Sequence, residues 1–128
     1  AKMSSQAELI AMIGRFHTVG IGAVFGFSVG PDAKQSDRYA AHLRQGGLGL
    51  PERGYYVNDK EDSKKIRAKY HDHVAAMFVL LGDSQETAKK EADAVLAIET
   101  SLAQASRTPV QLRDRESHYN KHTMSQLA

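Results

Sequence analysis

Six histidines, a glutamate at the margin of an apolar helix face and two glycine-rich runs are where this 128-residue chain could hold chemistry. His118 and His122 are four apart, a spacing at which two imidazoles on one helix face could share a metal. Their run, HYNKH, has no acid placed as in H-E-x-x-H, and it lies in a segment that reads as extended. His71 and His73 are two apart, so on a helix they point away from each other. His17 and His42 stand alone. The chain has no cysteine, which excludes thiolate zinc sites, disulfides and cysteine nucleophiles, and the ligand count for a metal falls short.

The first glycine run, GIGAVFG at 20–26, has the spacing G-x-G-x-x-x-G and follows a helix rather than a strand, so it fails as a dinucleotide fingerprint. The second, QGGLGLPERGYY at 45–56, lacks the lysine and hydroxyl residue of a phosphate loop. Gly46, Gly47 and Gly49 read instead as positions needing positive φ or close backbone approach. Pro51 then sets the exit direction and Leu50 before it must be extended. The run is a rigid corner, with Arg53 available for a carboxylate and Tyr55 and Tyr56 able to pack. Glu99 lies beside Ile98 and Leu102 on a helix, where an unpaired charge is costly to bury. Arg53 and Arg113 are its candidate ion-pair partners. A general-base role is the competing reading, but no companion acid or nucleophile accompanies it.

Those side chains need elements to hold them. Hydrophobic residues make up 41% and charged residues 25%, the balance of a globular domain with a real core. Net charge is +2, from 17 basic and 15 acidic residues, which gives no electrostatic case for nucleic acid or an anionic membrane. The cluster Lys64, Lys65, Arg67, Lys69 and the pair Lys89, Lys90 are interspersed with acids and read as solvated faces. No apolar run reaches the roughly 18 to 20 residues that span a bilayer.

Ser5 with Glu8 has capping-box spacing, and Leu9, Ile10, Ile13 and Phe16 recur at helical spacing up to Gly20. Ala23, Phe25, Phe27 and Val29, then Tyr39, Ala41 and Leu43, alternate around GPDAKQSD, predicting a β-hairpin with Pro31 second in a type I turn. A helix is expected from an Asp59 cap to Leu81, with Ile66, Tyr70, Val74, Met77, Phe78 and Leu81 as its stripe and Gly82 at its end. A second follows from Asp83, its inner face Ala88, Ala92, Val95, Ile98 and Leu102, and Pro109 lies beyond it. With one or two residues between them, the two form an antiparallel pair. The tail from Thr108 to Lys121 reads as polar and extended over the surface. Thr123 and Gln126 repeat the capping-box spacing near the end, from which the chain is expected to be cut out of something longer. The expected class is mainly α: an N-terminal helix, one hairpin, a helix pair and an extended C-terminal segment.

Taken together, the loops resemble the neprilysin family of zinc endopeptidases, which includes the endothelin-converting enzymes and bacterial oligoendopeptidase O. The family's L-G-L-P-x-R-D-Y-Y corner stands here as Leu48, Gly49, Leu50, Pro51, Glu52, Arg53, Gly54, Tyr55 and Tyr56. Its I-E-x-x-L-A helix signature is Ile98, Glu99, Leu102 and Ala103, and its R-D and Y-N-x-M-T loops are Arg113, Asp114, Tyr119, Asn120 and Thr123. Gly54 replaces the usual aspartate, Arg115 a common proline and His122 the usual methionine. The resemblance covers essentially the whole chain and implies an internal segment, residues 1–128, of the family's N-terminal peptidase region. It further implies a secreted or membrane-anchored parent, periplasmic or extracellular, that cleaves peptides of limited size between two helical lobes. Zinc would be held by H-E-x-x-H and a later glutamate, none of them in this chain. Catalytic and metal residues are therefore expected to be absent, and the partners to be peptide substrates and the zinc-bearing lobe. The alternative from another class is a free-standing helical interaction module without activity.

Overall fold

The computed structural model describes residues 3–127. In chain order it holds α1 (Gln6–Thr18), the strands β1 (Phe25–Pro31) and β2 (Tyr39–Gln45), α2 (Gly54–Val57), α3 (Glu61–Leu80) and α4 (Gln85–Ala105). Two 3-10 turns, Gln111–Arg113 and Glu116–His118, and a last short helix, α5 (Met124–Leu127), punctuate an otherwise extended C-terminal segment. The class is mainly α with one hairpin and a helix pair, as the periodicity predicts.

Ser5 caps α1, its Oγ accepting from the Glu8 amide at 3.3 Å. The return arm of the box is displaced by one residue, since the Glu8 carboxylate accepts from the Ser4 amide at 2.7 Å. That amide holds the Glu8 carboxyl below its ordinary range. At the other end Gly20, with φ +80°, lets the Gly20 amide bond His17 O and the Ile21 amide bond Phe16 O. These paired bonds form the Schellman ending that glycine permits.

α3 ends the same way. Gly82 has φ +109°, and the Gly82 and Asp83 amides return to Val79 O and Phe78 O. Asp83 closes that ending, and the cap of α4 falls one residue later, on Ser84, whose Oγ accepts from the Thr87 amide at 3.2 Å. The expected Asp59 cap is also displaced: Lys60 occupies the cap position without a side-chain bond, and Glu61 and Asp62 in the first turn meet the positive helix end instead.

The helix pair closes on small residues. Ala75 of α3 and Ala88 and Ala92 of α4 are buried, with Val74, Phe78 and Val79 packed around them. Methyl-sized side chains let the two backbones approach, and this turns the bulkier stripe off the seam. Met77, Leu81 and Ile98, expected inside, are exposed, Leu81 at 80% and Ile98 at 61%.

The hairpin pairs Phe27 with Leu43, Val29 with Ala41 and Pro31 with Tyr39. The alternation is real, but its apolar face is the open one: Phe27, Val29, Leu43 and Tyr39 are all exposed. Phe25 packs instead on His17 of α1, with ring centroids 4.8 Å apart. Pro31 lies in the strand rather than in the turn. Asp32 makes the turn, its Oδ1 accepting from the amides of Lys34 at 2.8 Å and Gln35 at 3.1 Å.

The tightness of the α3–α4 seam can be tested directly. Ala92→Leu is expected to lower stability by about 1 to 3 kcal/mol through overpacking, whereas Ile98→Ala should stay within about 0.5 kcal/mol. Denaturant midpoints of the two variants, compared with the parent sequence, check both.

Candidate functional site

The glycine corner, α3 and α4 meet on one carboxylate. Glu99 Oε1 accepts from the Gly49 amide at 3.2 Å and from the Tyr70 hydroxyl at 2.9 Å. Its Oε2 accepts from the Tyr56 hydroxyl at 2.7 Å, and that hydroxyl itself accepts from the Leu50 amide at 2.8 Å. No arginine pairs with Glu99 among the described residues, contrary to the expectation for Arg53 or Arg113. Arg53 Nε donates to Ala103 O at 3.0 Å, a carbonyl in the last turn of α4 that also accepts from the Ser106 amide at 3.2 Å. Arg113 is exposed on the first 3-10 turn. Neutral hydroxyls satisfy the carboxylate without drawing a second charge into the half-buried corner, and every bond is charge-assisted on one side.

The tyrosines register that environment. Burial, and then the Glu99 carboxylate beside it, pushes the Tyr70 hydroxyl up to about 12. Burial raises the Tyr56 hydroxyl further still, with the Glu99 carboxylate adding to it. Both therefore stay protonated donors throughout the neutral range.

Glycine geometry explains the corner. Gly47 has φ +78°, and a Cβ there would lie 2.7 Å from Val24 Cα. A Cβ on Gly49 would run into the Tyr70 hydroxyl, and one on Gly46 would lie 3.3 Å from the Phe25 backbone. Val24, against which Gly47 packs, itself has φ +65°, inside a tight turn closed by the Phe25 amide on Ala23 O. For a β-branched residue that is a strained conformation. Gly54, in contrast, has no positive φ. A side chain at 54 would meet the Glu52 carboxylate, so an aspartate there would face a like charge.

Leu48, Leu50, Pro51 and Arg53 line a cavity of about 240 Å³ together with Pro109 and Leu112. Tyr55 contributes its carbonyl, which with Asn58 O accepts from Arg67 Nη1 at 2.7 and 2.9 Å. Arg67 was expected on a solvated face; it is half-buried and holds α2 to α3.

A second carboxylate organises the C-terminal loop. Asp32, 3% exposed, accepts from Tyr119 Oη at 3.0 Å and from Lys121 Nζ at 2.6 Å, besides the two turn amides. The Lys121 ammonium, then the Lys34 amide, hold its carboxyl far below the usual carboxylate range. Asp114 and Asn120 act locally: Asp114 O accepts from Ser117 Oγ at 2.9 Å, and Asn120 Nδ2 donates to Ser117 O at 3.2 Å. Of the family-motif residues, Gly49, Leu50, Tyr56 and Glu99 thus meet in one clasp, and Tyr119 joins a separate one at Asp32. Sequence reasoning missed Asp32, although an aspartate two residues before Lys34 in a turn is a signature of this side-chain-to-amide bonding.

The histidines hold no metal site. His118 donates from Nε2 to Gln111 O at 3.1 Å and accepts at Nδ1 from Arg107 at 3.2 Å, while His71 faces Asp93 at 2.9 Å. Among the described residues no three His, Asp or Glu side chains converge as metal ligands.

The profile of peptidase family M13 matches residues 1–128. Endothelin-converting enzyme 1 of Cavia porcellus is 33% identical over 99% of this chain and 16% of its own length. Human endothelin-converting enzyme-like 1 is 37% identical over 82% of this chain and 14% of its own length. The Mycobacterium tuberculosis zinc metalloprotease Zmp1 in its open state superposes with a TM-score of 0.90 at 37% identity, covering 98% of this chain and 19% of Zmp1. The chain thus spans less than a fifth of the length of each of these proteins.

Removing the Glu99 side chain strands two hydroxyls and an amide. Glu99→Ala is expected to lower stability by about 2 to 4 kcal/mol, and Glu99→Gln, which keeps one oxygen acceptor, by less. Equilibrium denaturation of both variants gives the comparison. A pH dependence follows as well. The raised Tyr70 and Tyr56 values mean that the neutral hydroxyls stabilise the fold fully below about pH 10, the ordinary tyrosine value. That contribution is lost as pH rises from there through about 12. Tyrosinate absorbance is expected to show two of the five tyrosines ionising only as the fold opens; in the double variant Tyr56→Phe/Tyr70→Phe that late step should vanish.

Proposed function

The chain belongs to peptidase family M13, and from that membership we propose that it is a non-catalytic part of the substrate-enclosing helical lobe of a zinc-dependent endopeptidase. The observation that carries this reading is the superposition on Zmp1, a zinc metalloprotease, over nearly the whole chain at 37% identity. A second solved form of Zmp1, in complex with an inhibitor, superposes equally well, at a TM-score of 0.89.

The site chemistry agrees. Three donors from the chain itself engage Glu99, two on Oε1 and one on Oε2, which suits a strut better than a general base. The chain has no H-E-x-x-H motif, so the zinc belongs with residues outside it. What these residues do is hold a wall: the Glu99 clasp fixes the glycine corner onto the helix pair, and the Asp32 clasp fixes the C-terminal loop onto the hairpin turn. Such a wall would limit admission to peptides of modest size. A periplasmic or extracellular location is part of the same reading. No described helix is long and apolar enough to cross a membrane.

Two preparations test it with a quenched fluorescent peptide. The longer protein that carries this chain is expected to cleave the peptide in a chelator-sensitive way, whereas residues 1–128 with added zinc should not exceed a metal-only blank. Chelator-sensitive cleavage by the 128-residue chain would overturn the non-catalytic assignment. Absence of H-E-x-x-H from the downstream gene would leave the helical interaction module in its place.

A further inference from the structure

A groove of about 990 Å³ lies between β2 and the C-terminal segment, apart from the Glu99 corner. Residues 40–45 of β2 line it without a gap. Successive strand side chains point to opposite faces, so a cavity lined by every residue in a row follows the edge of the strand. Among the described residues β2 pairs only with β1, and Ala40 to Arg44 make no backbone bond outside the hairpin. Alternate residues of that edge therefore keep a free N–H and C=O, an unpaired row that can template a further strand.

The opposite wall supplies charge. Of the side chains lining the groove, five are Lys or Arg and two are Asp or Glu. Both acids are already matched: Asp32 to Lys121 at 2.6 Å and Glu116 to Lys34 at 2.9 Å. Arg44, on the strand side, and Arg107 and Arg115, on the loop side, have no carboxylate partner among the described residues. The wall is itself fastened to the strand, because the Gln45 amide exchanges two hydrogen bonds with the Arg107 backbone, at 3.2 and 2.9 Å. Guanidinium groups along a free strand edge match a ligand that offers both backbone amides and carboxylates.

We propose that this groove binds an extended peptide bearing acidic side chains, added to the edge of β2 as a third strand with its carboxylates on Arg44 and Arg115. Main-chain bonds would supply affinity and the arginines the charge preference. The proposal does not rest on the peptidase reading, since binding is measured without turnover.

The test uses the full-length protein and fluorescence anisotropy of a short labelled peptide of alternating glutamate and valine. Binding is expected to weaken with salt, and to exceed that of the matching glutamine–valine peptide. Arg44→Gln/Arg115→Gln is expected to weaken it about tenfold, and Lys64→Gln, on α3 outside the groove, to leave it unchanged. Arg115→Gln alone, on an exposed turn, serves as the second variant, and unaltered denaturation midpoints separate lost binding from lost folding. Methylating alternate peptide nitrogens removes the strand bonds and should cost binding in the arginine-intact protein. Equal binding of the acidic and neutral peptides, or indifference to the arginine changes, would overturn the proposal. So would displacement by inorganic phosphate with no effect of N-methylation, which marks a small-oxyanion site. Failure of the full-length protein to bind at any salt would mean that another segment fills the groove, and the proposal falls.

Discussion

The arrangement depends on a carboxylate that has been given donors but no countercharge. Glu99 sits on α4 where the Gly49 amide of the glycine corner meets the helix pair. An ionised side chain there would be a liability without saturation, because desolvation penalises the charge. Two tyrosine hydroxyls and one amide meet that need from three different segments. Gly49 is glycine because the Tyr70 hydroxyl takes the space of a side chain, and Tyr56 is buried because its hydroxyl bridges Leu50 to the carboxylate. Arg53 completes the corner from the other side by donating to the last turn of α4.

The second carboxylate solves a different problem. Asp32 lies in a turn that would otherwise be held only by the hairpin, and it draws Tyr119 and Lys121 across from the far end of the chain. Here a cation is used, and the Lys121 side chain is half exposed while the carboxylate is buried. Lys34 leans on the ring of Tyr119, 4.8 Å from its centre, and pairs outward with Glu116. Together the clasps hold the hairpin between two anchor points, while its apolar face, Phe27 paired with Leu43, remains open.

Much of this is legible in residue order. Capping spacings and glycine stops located the helices because those signals act within one turn, and the errors were shifts of a residue or two where two signals competed. Asp83 is the example: it belongs to the ending of α3, and the cap of α4 falls one residue later, on Ser84. The faces were less legible. Apolar periodicity said that Ile98 and Leu81 share stripes with buried residues, but a seam built on alanines selects the small-residue face. Glu99 was identifiable as a carboxylate needing partners, and the corner as rigid. That its partners are tyrosines rather than arginines depends on distances between segments that no local pattern encodes. Asp32 was overlooked for the same reason, its decisive contacts lying 87 and 89 residues away.

Those separations bear on the order in which the chain assembles. α3 and α4 meet through a link of four residues, so their seam costs little loop entropy to close. Glu99 must find partners 29, 43 and 50 residues distant. Contacts of long sequence separation are slow to form. The helix hairpin is thus the nucleus expected to form first, and the carboxylate on its outer flank is the latch that captures the incoming glycine corner. A residue that looks like a static strut in the folded chain is, on that view, also the contact that fixes when the glycine corner docks on the helices.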